Sequence, residues 1–226
     1  MIGIYFSGTG NSRYALEIFI KKYGNGAVLY SIEDEKAVEE LDNHDEVVIS
    51  YPVQYSTVPK FLWDFIDKNS KKWSGKKVFI IATMGLFSGD GTGVLGRLLK
   101  QHGAIITGGL HLKMPDSIAD EKVLKRPLEK NIMLVNVANQ KIKKAVFEIK
   151  RGKYPQEGLG ILYRIAGFFG QRLWFGYKTK NYSNRLKIDV EKCVGCAKCI
   201  NICPKRAITL LGKKVVCQTS IEKYLK

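Results

Sequence analysis

Short apolar runs recur through the first two thirds of the chain: Ile2-Gly3-Ile4-Tyr5-Phe6, Val47-Val48-Ile49 and Val78-Phe79-Ile80-Ile81-Ala82. A strand covered on both faces tolerates few polar groups on either side, so it reads as a continuous apolar stretch rather than an alternation. On this basis strands are predicted over 2–6, 27–32, 46–50, 77–83 and 104–112. Between them, apolar residues three and four apart predict helices over 11–23, 35–42, 59–68, 91–102 and 121–149. The first helix sets Ala15, Ile18 and Phe19 on one side and Arg13, Glu17 and Lys21 towards the other. The last contains Pro127, which predicts a bend or break near Arg126. Strands alternating with crossover helices give an α/β fold for residues 1–149, a doubly wound five-stranded parallel sheet.

The pattern changes after residue 149. Residues 150–185 form a basic, aromatic-rich bridge interrupted by Gly158, Gly160, Gly167, Gly170 and Gly176. A helix over 161–175 would set Leu162, Ile165, Phe169 and Leu173 on one side, with Arg164 and Gln171 nearly opposite. One reading is an interdomain helix whose apolar face docks on its neighbours. Another is peripheral contact with anionic lipid through 159–177, because basic residues flank aromatic ones. Residues 186–226 read as a small domain, with Leu186-Lys187-Ile188 and Ala207-Ile208-Thr209-Leu210 as short strands. So few residues cannot bury a self-sufficient core, and a metal centre is the expected source of stability.

Charge sharpens this division. The 226 residues carry 37 Lys and Arg against 21 Asp and Glu, a formal +16. Residues 1–149 hold 20 basic and 17 acidic side chains, whereas 150–226 hold 17 basic and 4 acidic. Such an excess steers an acidic protein partner into a salt-sensitive encounter. It would equally attract nucleic acid, but no reading motif accompanies it, so no nucleic-acid partner is expected. Met1 leads straight into an apolar run with no basic flank or cleavage site, and no stretch of about 20 apolar residues follows. The expectation is a cytoplasmic chain, with peripheral contact at the inner membrane face as the variant of it.

The sharpest N-terminal motif is Ser7-Gly8-Thr9-Gly10-Asn11-Ser12, between the first strand and the first helix. There backbone N–H groups converge and a helix N-terminus points at the ligand, an arrangement that attracts phosphate. Three hydroxyls and an amide in six residues suit a phosphate monoester, which needs many donors around one dianion. The loop lacks the Gly-Lys ending of a triphosphatase loop. A dinucleotide site competes through Gly8 and Gly10, with Glu33 as the ribose-binding acid, but its third glycine position is Arg13. Two further loops, 50–56 and 83–91, leave later strands at the edge where open parallel sheets bind ligands. Tyr55 and Phe87 could flank a planar ring there, and backbone near Gly85 and Gly89 could read its polar edge. His44, His102 and His111 show no partner spacing, so no catalytic acid–base pair is assigned.

All five cysteines lie at the C-terminal end: Cys193, Cys196, Cys199, Cys203 and Cys217. The C-x2-C-x2-C-x3-C-Pro run wraps backbone around the corners of an iron–sulfur cubane. Zinc sites instead pair their ligands in two separated sets. A cubane takes four thiolates and five are available; Cys193, Cys196 and Cys199 are the core of the set, with Cys203 preferred over Cys217 as the fourth.

The phosphate-loop motif resembles that of the flavodoxin family, over about residues 1–149, and the cysteine run is similar to bacterial-type ferredoxins. The whole chain looks like the family that fuses a flavodoxin-like domain to a 4Fe–4S ferredoxin module, here 186–226, though with one complete cysteine motif where members usually have two. The resemblance implies noncovalent FMN, with Ser7, Thr9, Gly10, Asn11 and Ser12 on its phosphate and Tyr55 and Phe87 at the ring. It also implies a 4Fe–4S cluster and electron transfer between the two centres in a carrier serving a protein partner. A flavin-dependent reductase of a quinone or other small acceptor is the enzymatic alternative. A basic nucleic-acid-binding protein with a structural metal site is the alternative outside redox chemistry.

Overall fold

The computed structural model describes residues 1–24, 26–116, 124–173, 189, 191–203, 208–211 and 214–217. Strands β1 (Ile2–Tyr5), β2 (Val28–Ser31), β3 (Glu46–Pro52), β4 (Lys77–Met84) and β5 (Ile105–Lys113) form one sheet in the order β2-β1-β3-β4-β5. All four pairings are parallel. The order reverses at β1, so the chain runs outward on one side to β2 and crosses to β3 on the other. That reversal opens a crevice at the carboxyl ends of β1 and β3.

Each face of the sheet has its own core. Val47, Ile49 and Tyr51 of β3 pack with Val78 and Ile80 of β4 beneath α2 (Lys36–Asp42), α3 (Lys60–Lys68) and α4 (Gly91–Gln101). Val48 points the other way with Phe79 and Ile81, beneath α1 (Asn11–Tyr23) and α5 (Leu128–Lys150). This two-sided burial is why the strands read as continuous apolar runs. Helix α1 buries Ala15, Leu16 and Phe19, and it stops at Gly24, whose N–H donates to Ile20 O at 3.0 Å.

The helix expected over 121–149 begins later, at Leu128, with Pro127 as its N-cap. Proline has no N–H to give to an earlier turn, and it disfavours helical backbone in the residue before it. Residues 117–123 of that span lie outside the described residues. After α5 the chain returns along the outer side of β5: Gly109 N donates to Pro155 O at 2.8 Å and Glu157 N to Gly109 O at 2.9 Å. The exposed edge of the sheet is thereby covered.

The segment expected as a helix over 161–175 forms α6 (Ile161–Gly167), which runs into a π turn over Phe168–Arg172. Residues 174–175 lie outside the described residues. The apolar side expected to dock is instead exposed, with Leu162 at 78% and Phe169 at 68%. Gly167 is the residue that turns inward, against Gly89 and Asp90. A Cβ on Gly89 would stand 2.4 Å from the Gly167 Cα, so this side of α6 approaches the loop after β4 only because both residues are glycines. Large side chains on that side would hold the helix away.

Contacts divide the chain into Met1–Arg172 and Leu173–Lys226. The second unit contains α7 (Lys198–Ile202) and an antiparallel hairpin of β6 (Ile208–Leu211) and β7 (Lys214–Cys217). The expected strand at 207–210 corresponds to β6, whereas Leu186-Lys187-Ile188 lies outside the described residues.

Candidate cofactor sites

The β1–α1 loop closes on itself before it meets any ligand. Ser7 Oγ accepts from Gly10 N–H at 3.1 Å, and Gly10 sits at φ 98°, a left-handed conformation that side-chain-bearing residues rarely adopt. The Asn11 amide donates to Pro115 O at 2.8 Å, tying the loop to the chain beyond β5. Ser12 is buried, and its hydroxyl shares a 2.7 Å hydrogen bond with Thr83 Oγ1, so this side chain fastens α1 to β4. The first N–H groups of α1 have no intrahelical acceptor and point out of the helix end.

A cavity of about 210 Å³ lies above this loop, lined by Ser7, Gly8, Thr9, Asn11, Ser12, Gln54, Thr83, Met84, Gly85 and Asp116, among others. Apart from the neighbouring residues of the loop, no described atom comes within 4 Å of where a Cβ on Gly8 or Gly10 would stand. Among the described residues no Lys or Arg lines it, and Asp116 is the one charged lining residue. An anionic group here would be met by hydroxyls, an amide, backbone N–H groups and a helix N-terminus. That donor set fits a phosphate monoester. Gln54, Thr83, Met114 and Asp116 also line the cavity and were missed in the sequence. Their positions at or just beyond the carboxyl ends of β3, β4 and β5 are the signal that could have found them.

Five of the expected contacts line the cavity: Ser7, Thr9, Asn11, Ser12 and Gly85. Gly10, Tyr55, Phe87 and Gly89 do not, although the last three stand on the loops after β3 and β4. These loops are joined to each other: Ser56 Oγ donates to Ser88 O at 2.6 Å, and Val53 N donates to Thr83 O at 2.8 Å. Tyr55 and Ser56 hold positive φ of 48° and 59°, a costly turn that the Ser56 hydrogen bond helps to fix. The buried Tyr51 hydroxyl donates to Gly91 O at 2.6 Å and pins the start of α4. Burial first, and the nearby Asp90 second, push its ionisation far above the usual tyrosine range.

His111 shows what an unassigned histidine does here. Its Nε2 lies 3.1 Å from Ser88 Oγ and 3.2 Å from Thr92 Oγ1, while its backbone N–H donates to Glu157 Oε2 at 2.7 Å. Glu157 also receives Lys141 Nζ at 2.7 Å. Because Glu157 meets the backbone rather than the ring, Ser88, His111 and Glu157 form no catalytic triad. Burial pushes the imidazole down to about 4, so it is neutral at pH 7.

In the second unit, Cys193, Cys196, Cys199 and Cys203 follow one another through a tight wrap. Gly195 and Ala197 take positive φ of 70° and 57°, α7 starts at Lys198, and Cys203 directly follows its end. Cys196 is exposed and the other three are half-buried; Cys196, Cys199 and Cys203 carry free thiols. Among the described residues no three candidate ligands gather closely enough to hold a single metal ion. A cubane places its thiolates on separate irons, and four cysteines on one short wrap match that donor chemistry. Cys217 ends β7, where its backbone pairs with Ile208.

Residues 2–94 match the family model described as a flavodoxin domain, and residues 186–209 match the 4Fe-4S binding domain. The chain joins a flavodoxin domain to a 4Fe–4S domain. The two domains imply FMN and a 4Fe–4S cluster as its cofactors. No curated protein matches the chain. Among solved structures similar to it is two-electron reduced Megasphaera elsdenii flavodoxin, at 19% identity and TM-score 0.47, covering 65% of this chain and 99% of that one. Oxidised Flavodoxin 2 from Bacillus cereus is similar at 16% identity and TM-score 0.49, covering 67% and 97%. Fusobacterium nucleatum flavodoxin bound to flavin mononucleotide is similar at 16% identity and TM-score 0.44, covering 67% and 98%. A flavodoxin domain and a 4Fe–4S domain in one chain give it an electron-transfer redox role.

Proposed function

We propose that electrons pass within this chain between a cluster held by Cys193, Cys196, Cys199 and Cys203 and an FMN held noncovalently above the β1–α1 loop. The chain then acts as a redox carrier for a protein partner with an acidic surface. The observation that carries this reading is an open, donor-lined cavity at the switch point of the sheet, in a chain that also bears the cysteine wrap. Flavin exchanges one or two electrons and a cubane exchanges one, so the pair joins two-electron to one-electron chemistry.

In this reading Ser7 and Gly10 hold the loop open, and Thr9, Asn11 and the first N–H groups of α1 receive the phosphate. Ser12 acts through its backbone, since its hydroxyl is engaged with Thr83. Tyr55, Phe87, Gly85 and Gly89 are assigned to the ring from their loops. The 17 basic against 4 acidic residues of 150–226 support steering of an acidic partner.

The test uses the full chain loaded with both cofactors without oxygen. After substoichiometric chemical reduction of the cluster, the flavin absorbance should fall without an added mediator. Flavin that stays oxidised beside a reduced cluster would defeat intramolecular transfer. Rapid oxidation of NAD(P)H by the chain alone would replace the carrier reading with that of a reductase.

A further inference from the structure

Helix α6 reverses the usual order of burial. A helix on a globular surface ordinarily turns its large apolar side chains inward. Here Ile161, Leu162, Ile165, Phe168 and Phe169 are exposed at 73%, 78%, 51%, 45% and 68%, while Gly167 is buried against the β4–α4 loop. The display is firmly held. Arg172 donates to Asp90 Oδ1 at 2.6 Å and to Arg164 O at 3.2 Å, and the Tyr163 ring stands edge-on to His111 at 5.8 Å. The inward face is fixed by glycine and an ion pair, so the outward face has no route to burial within this unit.

Two grooves of about 380 and 550 Å³ run beside α6, and both include Arg97, Ile161 and Arg164 in their walls. Lys100 lines the first and Arg172 the second, and among the described residues neither groove has a carboxylate in its wall. Arg97 and Arg172 both reach the fully buried Asp90. Arg164 and Lys100 add two further cations, so among the described lining residues four cations stand against the one carboxylate of Asp90, an excess of three positive charges. Phe168 and Phe169 stand edge to face at 5.3 Å, a compact aromatic wedge beside those cations.

Apolar and aromatic side chains on a short amphipathic helix, flanked by Arg and Lys without acids, suit the headgroup boundary of an anionic bilayer. Long basic side chains there lie along the apolar surface and keep their charge in the headgroups. We infer that α6 and the π turn form a peripheral docking face for anionic phospholipid membranes. The attachment is superficial, since no described helix is long and apolar enough to cross a membrane. It stands independently of the electron-transfer reading and requires neither cofactor.

Vesicle flotation of the full chain tests this with phosphatidylcholine alone and with phosphatidylcholine containing about one third phosphatidylglycerol. The chain should float with the anionic vesicles and stay behind with the neutral ones. Phe168→Ser with Phe169→Ser should weaken binding about tenfold or more, and Arg164→Glu should weaken it severalfold. All these side chains are exposed, so flavin content and circular dichroism should match the parent protein. Absence of binding to anionic vesicles would overturn the inference. So would binding that persists in the double serine variant but vanishes in salt, which would place the attachment on other basic residues. A dimer that becomes monomeric in the serine variant, without vesicle binding by the parent, would assign the face to a second copy of the chain.

Discussion

Arg172 Nη2 donates to Asp90 Oδ1 at 2.6 Å, joining the end of the α6 strap to the loop that follows β4. Arg97 Nη2 takes the other oxygen at 2.6 Å, so a fully buried carboxylate is matched on both sides. Burying that charge costs free energy which only its partners offset, and removing one member exposes the cost. Asp90→Asn leaves two guanidinium groups crowded around a neutral amide and should lower stability by about 3 kcal/mol in urea unfolding. Arg172→Gln leaves Arg97 in place and should cost less, about 1–2 kcal/mol. A loss below about 1 kcal/mol for Asp90→Asn would mean that desolvation already cancels the attraction.

The strands and the tight loop after β1 were legible because each has a local cause. Val47, Val48 and Ile49 are buried from both sides, and Gly10 holds the loop after β1 at φ 98°, where a side chain is strained. The orientation of α6 was not legible: spacing puts Leu162, Ile165 and Phe169 on one stripe but cannot tell which side meets the protein. That depends on Gly89, some 80 positions earlier, leaving room for Gly167. The hydrogen bond of Ser12 was not legible for a similar reason. A hydroxyl in a phosphate loop reads as a ligand donor, and only the position of Thr83 on β4 shows that it is already engaged.

Gly10 and Ser12 should therefore separate two roles within one loop. Gly10→Ala forces a side chain into a backbone at φ 98°, a strain of about 1–2 kcal/mol that distorts the turn. FMN affinity, followed by fluorescence quenching, should fall about tenfold. Ser12→Ala removes a buried hydrogen bond to Thr83 and should cost about 1 kcal/mol of stability with little change in FMN affinity. A larger affinity loss for Ser12→Ala than for Gly10→Ala would show that the hydroxyl turns to the phosphate on binding.

The fourth cluster ligand can be assigned by the same kind of contrast. Cys203 directly follows α7, four positions after Cys199, whereas Cys217 ends the second strand of the hairpin. Cys203→Ser should lose most bound iron and sulfide after anaerobic reconstitution, and Cys217→Ser should keep them. Full iron content in Cys203→Ser with depletion in Cys217→Ser would transfer the role to the hairpin. Neither substitution should alter FMN content, since both lie outside the flavodoxin domain.

His111 makes stability depend on pH in a defined direction. Burial lowers its pKa to about 4 in the folded chain, against about 6.5 when unfolded. Charges face it from several elements: Glu157 and Asp90 favour the protonated ring, and Lys141 opposes it. Between these two values the unfolded state binds the extra proton, so stability rises with pH. The contribution is complete above about 6.5 and disappears as pH falls towards 4; over the whole window it amounts to about 3 kcal/mol. Urea unfolding of the full chain from pH 7 to 5 should therefore show a loss that His111→Gln reduces, because the amide keeps a partner for Ser88 and Thr92 without titrating. Equal pH slopes in the two proteins would mean that His111 takes up its proton as readily in the fold as in the unfolded chain, with Glu157 and Asp90 offsetting its burial.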